Sequence, residues 1–335
     1  MNWLITGGCG FIGTSLIRRI LHEDNESKII VIDNLKVGQK EDLARVCKFD
    51  DVTAKNLTGS NSVKFIQGDI LDDKTSDILC QDIDAIVHLA ANTGVQPSIE
   101  NPIEDLRNNV IGTCNYLNAA KNNNVRIFIT ASSGATLGNV KPPLHEDMLT
   151  RPISPYGASK LATEAYCSAF YNSYGLRTGI LRFSNVYGPL SHRKNSVVAK
   201  FIRSSLLRNI IQINGDGTQT RDFIYIDDLV DAIYKCAVSN IIKCDILQIS
   251  SGKETSINQL SEIIIHALKR RSYANILIEH CDALLGETQR NYGLIKKASN
   301  LLKWQPNESL ASGIEKTIDY FINEELSLIN TNYKV

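Results

Sequence analysis

Ser133, Tyr156 and Lys160 are the residues whose types and spacing could together move a proton. Ser133 stands in Thr130-Ala-Ser-Ser-Gly-Ala135, and the other two bound the stretch Tyr156-Gly-Ala-Ser-Lys160. In a helix, residues four apart stack one turn above each other, which sets an ammonium beside a phenol and favours the phenol's ionised form. A phenolate at neutral pH is a general base suited to an alcohol. The alternative for a Tyr-x-x-x-Lys pair is a surface tyrosine beside a solvated cation, so its meaning depends on the elements that hold it.

Those elements follow a βα rhythm. Short β-branched runs at Trp3 to Thr6, Lys28 to Asp33, Val63 to Gln67, Ala85 to Leu89, Val125 to Thr130 and Arg177 to Arg182 predict strands. Longer amphipathic stretches, notably Phe11 to His22, Ile99 to Asn122 and Pro155 to Tyr174, predict helices between them. Such alternation makes a parallel sheet with helices on both faces. Gly38 to Ser62 interrupts the pattern with polar, poorly periodic sequence and is expected to be an excursion between the second and third strands.

Composition narrows the class. With 335 residues and 43% hydrophobic side chains, the chain can bury a large core as one domain or two closely packed ones. Lys plus Arg (36) equals Asp plus Glu (36), so no net field draws it toward nucleic acid or an anionic membrane. Its 8 cysteines are scattered without C-x-x-C or zinc spacing, which predicts free thiols, no metal site and a reducing compartment. The apolar start Trp3-Leu-Ile-Thr6 is too short for a signal or a membrane span, so a cytoplasmic location is expected.

The first turn reads Gly7-Gly8-Cys9-Gly10-Phe11-Ile12-Gly13. Read as Gly8-x-Gly10-x-x-Gly13 or as Gly7-x-x-Gly10-x-x-Gly13, it puts glycines where a backbone must turn and approach a pyrophosphate at a helix N-terminus. A strand precedes it, a helix follows, and about twenty residues beyond Gly13 the second strand ends in Asp33, placed to accept from a ribose diol. A carboxylate there repels a 2′-phosphate and selects NAD over NADP, with Lys36 close enough to temper the choice. A glycine-rich turn without a ligand is the alternative.

With these motifs the chain resembles the extended short-chain dehydrogenase/reductases of the nucleotide-sugar epimerase and dehydratase family. The pattern is closest to the UDP-glucose and UDP-N-acetylglucosamine 4-epimerases and covers nearly the whole chain. It is carried further by Gly68-Asp69-Ile70, His88-Leu-Ala-Ala91, Asn109-Val-Ile-Gly-Thr113, Arg182-Phe-Ser-Asn-Val-Tyr-Gly-Pro189 and the run Gly215 to Asp228. The resemblance implies a Rossmann-type doubly wound parallel sheet with a smaller C-terminal α/β substrate lobe. The NAD-binding part would span 1–185 and 223–250, and the nucleotide-sugar lobe 186–222 and 251–330. NAD would be held by Gly7, Gly10, Phe11, Ile12, Gly13, Asp33, Asn34, Asp69, Ile70, Leu89, Ala90 and Ala91, together with Tyr156 and Lys160. Asp69 would meet the adenine amine, a helix N-cap being its other reading. His88 would be a packed strand-end histidine, and Asn109 a bridge between helix and sheet.

The same resemblance makes Ser133 the hydroxyl partner of Tyr156, with Ser132 as its rival, and departs at Leu137, where relatives commonly carry an aromatic. Dehydratases place an Asp-Glu pair where this chain has Gly134-Ala135, and decarboxylating relatives a nearby Glu, so neither leaving-group chemistry is expected. On the substrate side it implies Arg221 and Asn185 on the diphosphate and Arg290 as a second cation, a solvated arginine being the alternative. Val198 falls near the base, and Asn291 where side-chain size limits the sugar's C2 substituent, with room for an N-acetyl group. Asn214 replaces an aromatic that relatives often stack on the uracil. The expected reaction is 4-epimerisation of a nucleotide-diphosphate sugar through a 4-keto intermediate. The rivals are a net oxidoreductase with the same catalytic residues and a non-catalytic NAD-binding protein. A homodimer through the helices Ile99 to Asn122 and Pro155 to Tyr174 is implied, with a monomer as the alternative.

Overall fold

A computed structural model describes residues 1–283 and 288–325. Positions 326–330 of the expected substrate lobe, and Gly286 in the segment leading to Arg290, lie outside the described residues. Six aliphatic runs become the strands β1 (Asn2–Thr6), β2 (Lys28–Asp33), β4 (Val63–Gln67), β5 (Ala85–His88), β6 (Ile127–Ser133) and β7 (Thr178–Phe183). With β3 (Asp50–Asp51) and the strand Cys244–Ile249 they form one sheet, ordered Cys244–Ile249, β7, β6, β5, β1, β2, β4, β3. Every pairing in it is parallel. A parallel sheet covered on both faces needs apolar side chains pointing both ways. Trp3 and Ile5 accordingly enter one core cluster, whereas Leu4, between them, enters the other. Strand order reverses at β1, so a crevice opens beyond the carboxyl ends of β1 and β5.

Three sequence expectations shift. The predicted helix over Ile99 to Asn122 is broken into Val95–Glu100, Pro102–Leu106, a π-helical turn at Arg107–Ile111, and Gly112–Asn122. Pro102 forces a new start, with Asn101 capping through its side chain to the Glu104 amide (3.2 Å). The fifth predicted strand is moved along the chain to Ile127–Ser133, which makes Ser133 its last residue. The excursion at 38–62 carries a short helix, Lys40–Ala44, and the edge strand β3, whose Asp50 accepts from the Asn61 amide (2.8 Å) and Lys64 Nζ (2.5 Å). It thus covers the open edge beside β4 with charge.

The remaining segments make three small two-stranded sheets: Asn185–Tyr187 with Phe223–Tyr225, Ile210–Asn214 with Leu277–Cys281, and Thr220–Arg221 with Thr255–Ser256. Ile211 and Ile213 on the strand Ile210–Asn214, with Leu260 and Ile264 on the helix Ile257–Lys269, join the same cluster as Trp3 and Ile5, so one core runs from the large sheet into these segments. Among the described residues, no helix is long and apolar enough to cross a membrane.

Candidate active site

The glycine turn leaves β1 at Thr6. Gly7 has φ +69°, and a Cβ there would lie 2.8 Å from the Ala90 nitrogen, so turn and β5 end are in backbone contact. A Cβ on Gly13 would meet the Gly7 carbonyl oxygen at 2.5 Å. Phe11 and Ile12 open the helix Phe11–Glu23, and no side chain caps it at Gly10, which leaves its first-turn amides to an anion. Asp33, at the end of β2, accepts from the Cys9 amide (3.0 Å) and the Leu35 amide (2.9 Å) and so pins the turn. Burial raises its pKa while these two amides oppose the rise. Lys36 is engaged by Glu104 at 3.3 Å.

Beyond β2, Asn34 donates to Asp69 Oδ2 (3.1 Å), and Asp69 Oδ1 accepts from the Leu71 amide (3.0 Å). The next helix is capped by Asp72, so the N-cap reading of Asp69 falls away. Asp69, Lys36, Leu71, Asn101, Ile103 and Asn108 are among the residues lining a pocket of about 320 Å³. Ile70 is buried beneath it against Gly112, where a Cβ would come within 2.5 Å of Ile70 Cδ1. Leu89, Ala90 and Ala91 follow β5 and stay partly exposed, the Ala90 amide donating to Thr6 Oγ1 (3.2 Å). His88 is packed: Nδ1 pairs with Thr6 Oγ1 (2.9 Å), and burial, then the nearby Lys160 charge, lowers its pKa to about 3.

Alternation along β6 separates the two serines. Ser132 donates to Glu164 Oε1 (2.5 Å), where Arg182 also makes a buried two-pronged pair at 2.8 and 2.7 Å. Ser133 faces the other way, toward the Tyr156 phenol, whose pKa it lowers. Tyr156 enters on the first turn of Pro155–Tyr174, whose N-cap Ser154 accepts from the Gly157 amide (3.1 Å) and whose first residue is proline. Its own amide donates to Ser98 Oγ (3.0 Å). Lys160 is 5% exposed, donates to the Ala131 carbonyl (3.0 Å), and lies 6.0 Å from the Tyr156 ring centroid. Burial lowers its pKa to about 8 against the pull of Asp105 and Glu164. The phenol moves opposite to the expected depression: burial raises its pKa, with Ser133 opposing and Asp105 adding to the rise.

Asn109 joins its helical series to the loop after β5 and to the helix Pro155–Tyr174, with no bond to a strand of the sheet among the described residues. It accepts from the Asn92 amide (2.8 Å) and donates to the Asn92 carbonyl (3.1 Å), Asp105 Oδ1 (3.0 Å) and Ser159 Oγ (3.0 Å). Asp105 was not singled out from the sequence, although its position four residues before Asn109 on a helical stretch was a usable signal. Glu164, four residues after Lys160, was missed for the same reason.

The segments expected to hold the substrate pack next to these groups. The Leu144 amide donates to the Tyr292 carbonyl (2.7 Å) and the Leu294 amide to the Leu144 carbonyl (2.8 Å), zipping the 290s onto the loop after β6. This puts Asn291 beside Gly134, next to Ser133: a Cβ on Gly134 would lie 3.9 Å from both Asn291 amide atoms. Arg221 Nη1 donates to the Thr220 and Thr288 carbonyls (2.7 and 2.9 Å), and Asn185 Nδ2 to the Asp222 carbonyl (3.3 Å). Arg290 is exposed and pairs with both oxygens of Glu254 at 2.7 Å, holding that carboxyl down to about 2. Val198 is buried in the core, so its side chain is spent on packing and only its backbone remains for a base. Asp222, another missed residue, is buried and gathers the Ser251 and Gly252 amides (2.7 and 2.9 Å).

A family model described as the NAD dependent epimerase/dehydratase family matches residues 3–250. The chain belongs to that family. It is 34% identical over 329 residues to a putative UDP-glucose 4-epimerase of Methanocaldococcus jannaschii, covering 96% of this chain and 98% of the relative. Among solved structures it is similar to the UDP-N-acetylglucosamine 4-epimerase from Methanobrevibacter ruminantium in complex with UDP-N-acetylmuramic acid (TM-score 0.85, 30% identity, 96% of this chain and 98% of that one). It is also similar to the UDP-glucuronic acid 4-epimerase from Bacillus cereus in complex with UDP-glucuronic acid and NAD (TM-score 0.84, 30% identity, 96% and 99%). The family's cofactor suits the residues present. Gly7 and Gly13 leave no room for a Cβ, uncapped amides open the first helix, and Asp33 closes the end of β2. With Lys36 occupied by Glu104, no lone cation among these residues invites a 2′-phosphate.

Proposed function

We propose that the protein is an NAD-dependent UDP-sugar 4-epimerase. The observation that supports this most is the meeting of Ser133, Tyr156 and Lys160 at the carboxyl end of β6, two strands from β1, with Gly134 and Asn291 next to them. Gly134 and Asn291 offer neither acid nor base to expel a hydroxyl. Tyr156 takes the proton from the sugar O4 and later returns it, while Ser133 hydrogen-bonds the same oxygen. Lys160 supplies positive charge beneath the pair. The bound cofactor supplies the hydride acceptor for C4 and the donor that reduces the resulting ketone. Arg221 and Asn185 hold the diphosphate, so the 4-keto sugar can turn about that linkage and be reduced on its other face. Arg290 serves the diphosphate only after exchanging Glu254 for it. Asn291, being of middle size, leaves space for a C2 N-acetyl group.

Within the continuous core we assign residues 1–185 and 223–250 to the cofactor and 186–222 and 251–330 to the nucleotide sugar. A homodimer is supported by exposed Ile99, Ile103, Leu106 and Ile111 on one helical series and Tyr166 and Tyr174 on the other. A balanced charge, free cysteines and relatives that are enzymes of UDP-sugars support a cytoplasmic location.

The test is product stereochemistry by NMR for UDP-glucose, UDP-N-acetylglucosamine and UDP-glucuronic acid, with NAD measured after denaturing the purified protein. Inversion at C4 with retained NAD is expected; net oxidation with freely exchanged NAD would favour the oxidoreductase reading instead. Tyr156→Phe should bind NAD and UDP yet lose about 10²- to 10⁴-fold in kcat. Undiminished turnover by that variant would remove Tyr156 from the mechanism.

A further inference from the structure

Asp105 is a carboxylate that the mechanism above does not use. It lies in the short helix Pro102–Leu106, is 2% exposed, and its Oδ2 has no hydrogen-bond partner among the described residues. Its Oδ1 accepts from Asn109 Nδ2 (3.0 Å), which also donates to Ser159 Oγ (3.0 Å), and that hydroxyl donates to the Tyr156 carbonyl (3.0 Å). The chain of contacts therefore ends on the backbone of the catalytic helix between Tyr156 and Lys160. A buried carboxylate is costly without a cation, and an asparagine would make the same bond to Asn109 at less cost.

The charges around the pair leave Asp105 one role. Glu164, on the same helix as Lys160, also raises its proton affinity but is matched by Arg182 from β7 and does not act on Tyr156. His88, facing Lys160 from β5, is neutral over the working range, and Ser133 from β6 brings no charge. Asp105 acts on both members of the pair, raising the proton affinity of Lys160 and of Tyr156.

We propose that Asp105 is a positioning residue that provides the buried counter-charge for the Tyr156–Lys160 pair, keeping Lys160 protonated while Tyr156 exchanges its proton with the sugar. The proposal rests on the reading of Tyr156 and Lys160 as the proton-transfer pair. Removing the negative charge lowers both affinities, so phenolate forms at lower pH and ammonium is lost at lower pH. In Asp105→Asn holoenzyme, both limbs of the kcat profile should move acid-ward by about one unit. Asp105→Glu, which keeps the charge, should leave the limbs in place whatever it does to kcat. A uniform loss of kcat at every pH, or an unmoved profile in Asp105→Asn, would overturn the proposal.

A readout that needs no substrate separates this from the functional reading. Titration of the Lys160 side chain by ¹³C-lysine NMR of the holoprotein should show a lower midpoint in Asp105→Asn, again by about one unit. An equal midpoint sinks the proposal even if epimerisation is established, and a lowered one sustains it even if the natural reaction proves to be a net reduction. Should Asp105→Asn not accumulate folded, acid-ward limbs in Asp105→Glu despite its retained charge overturn it, and unmoved limbs uphold it.

Discussion

His88 couples the site to stability in acid. Burial and the Lys160 charge hold its imidazole near a pKa of about 3, against 6.5 for the free side chain. Between those values the unfolded chain binds a proton that the folded chain does not, so unfolding becomes easier as pH falls from 6.5 toward 3. The contribution is complete above 6.5 and its loss by pH 3 is on the order of 4 kcal/mol. Denaturant unfolding from pH 7 to pH 4 should therefore show a steep decline in the wild type, flattened in His88→Gln. Parallel slopes would show that other groups set the acid limit. Among neighbouring residues, Ser133 and Ser132 differ only by the alternation of a strand, yet one meets a phenol and the other a buried ion pair. No spacing rule separates two adjacent serines until the strand's end is known, and the predicted strand stopped at Thr130 rather than Ser133.

At the scale of elements, the turn between β1 and the helix Phe11–Glu23 carries the tightest constraint. A Cβ on Gly13 would lie 2.5 Å from the Gly7 oxygen and 2.6 Å from Gly8 Cα, both backbone atoms that cannot step aside cheaply. Gly13→Ala should push the helix away from the strand, cost about 1–3 kcal/mol in thermal or denaturant unfolding, and abolish NAD retention after purification. Normal NAD content in that variant would place the cofactor elsewhere. The stretch Ile99 to Asn122 gives the opposite lesson. Its apolar periodicity reads as one helix, but Pro102 ends one turn and the Arg107–Ile111 segment widens into π geometry. That widened turn contains Asn109, whose side chain reaches both Asn92 and Ser159.

For the whole molecule, Ile99, Ile103, Leu106, Ile111, Tyr166 and Tyr174 are exposed apolar or aromatic side chains on the helices that the resemblance assigns to a dimer. If they pair two copies, sedimentation should give a dimer, and Ile103→Glu combined with Leu106→Glu should give a monomer that still folds, since both residues are about half exposed or more. A wild-type monomer at working concentrations would reject the assignment. The sequence alone determined the parallel sheet, the glycine turn with Asp33 twenty residues on, and the Tyr156–Lys160 pair, because each follows from local periodicity or from spacing within one element. Only the tertiary structure decided that Arg290 is paired with Glu254, that Val198 is spent on the core, that Asn291 lies against Gly134, and that Asp105 is joined through Asn109 and Ser159 to the backbone of Tyr156. Those are meetings of residues far apart in the chain or on opposite sides of a broken helix. They depend on which elements pack together, which no local pattern records.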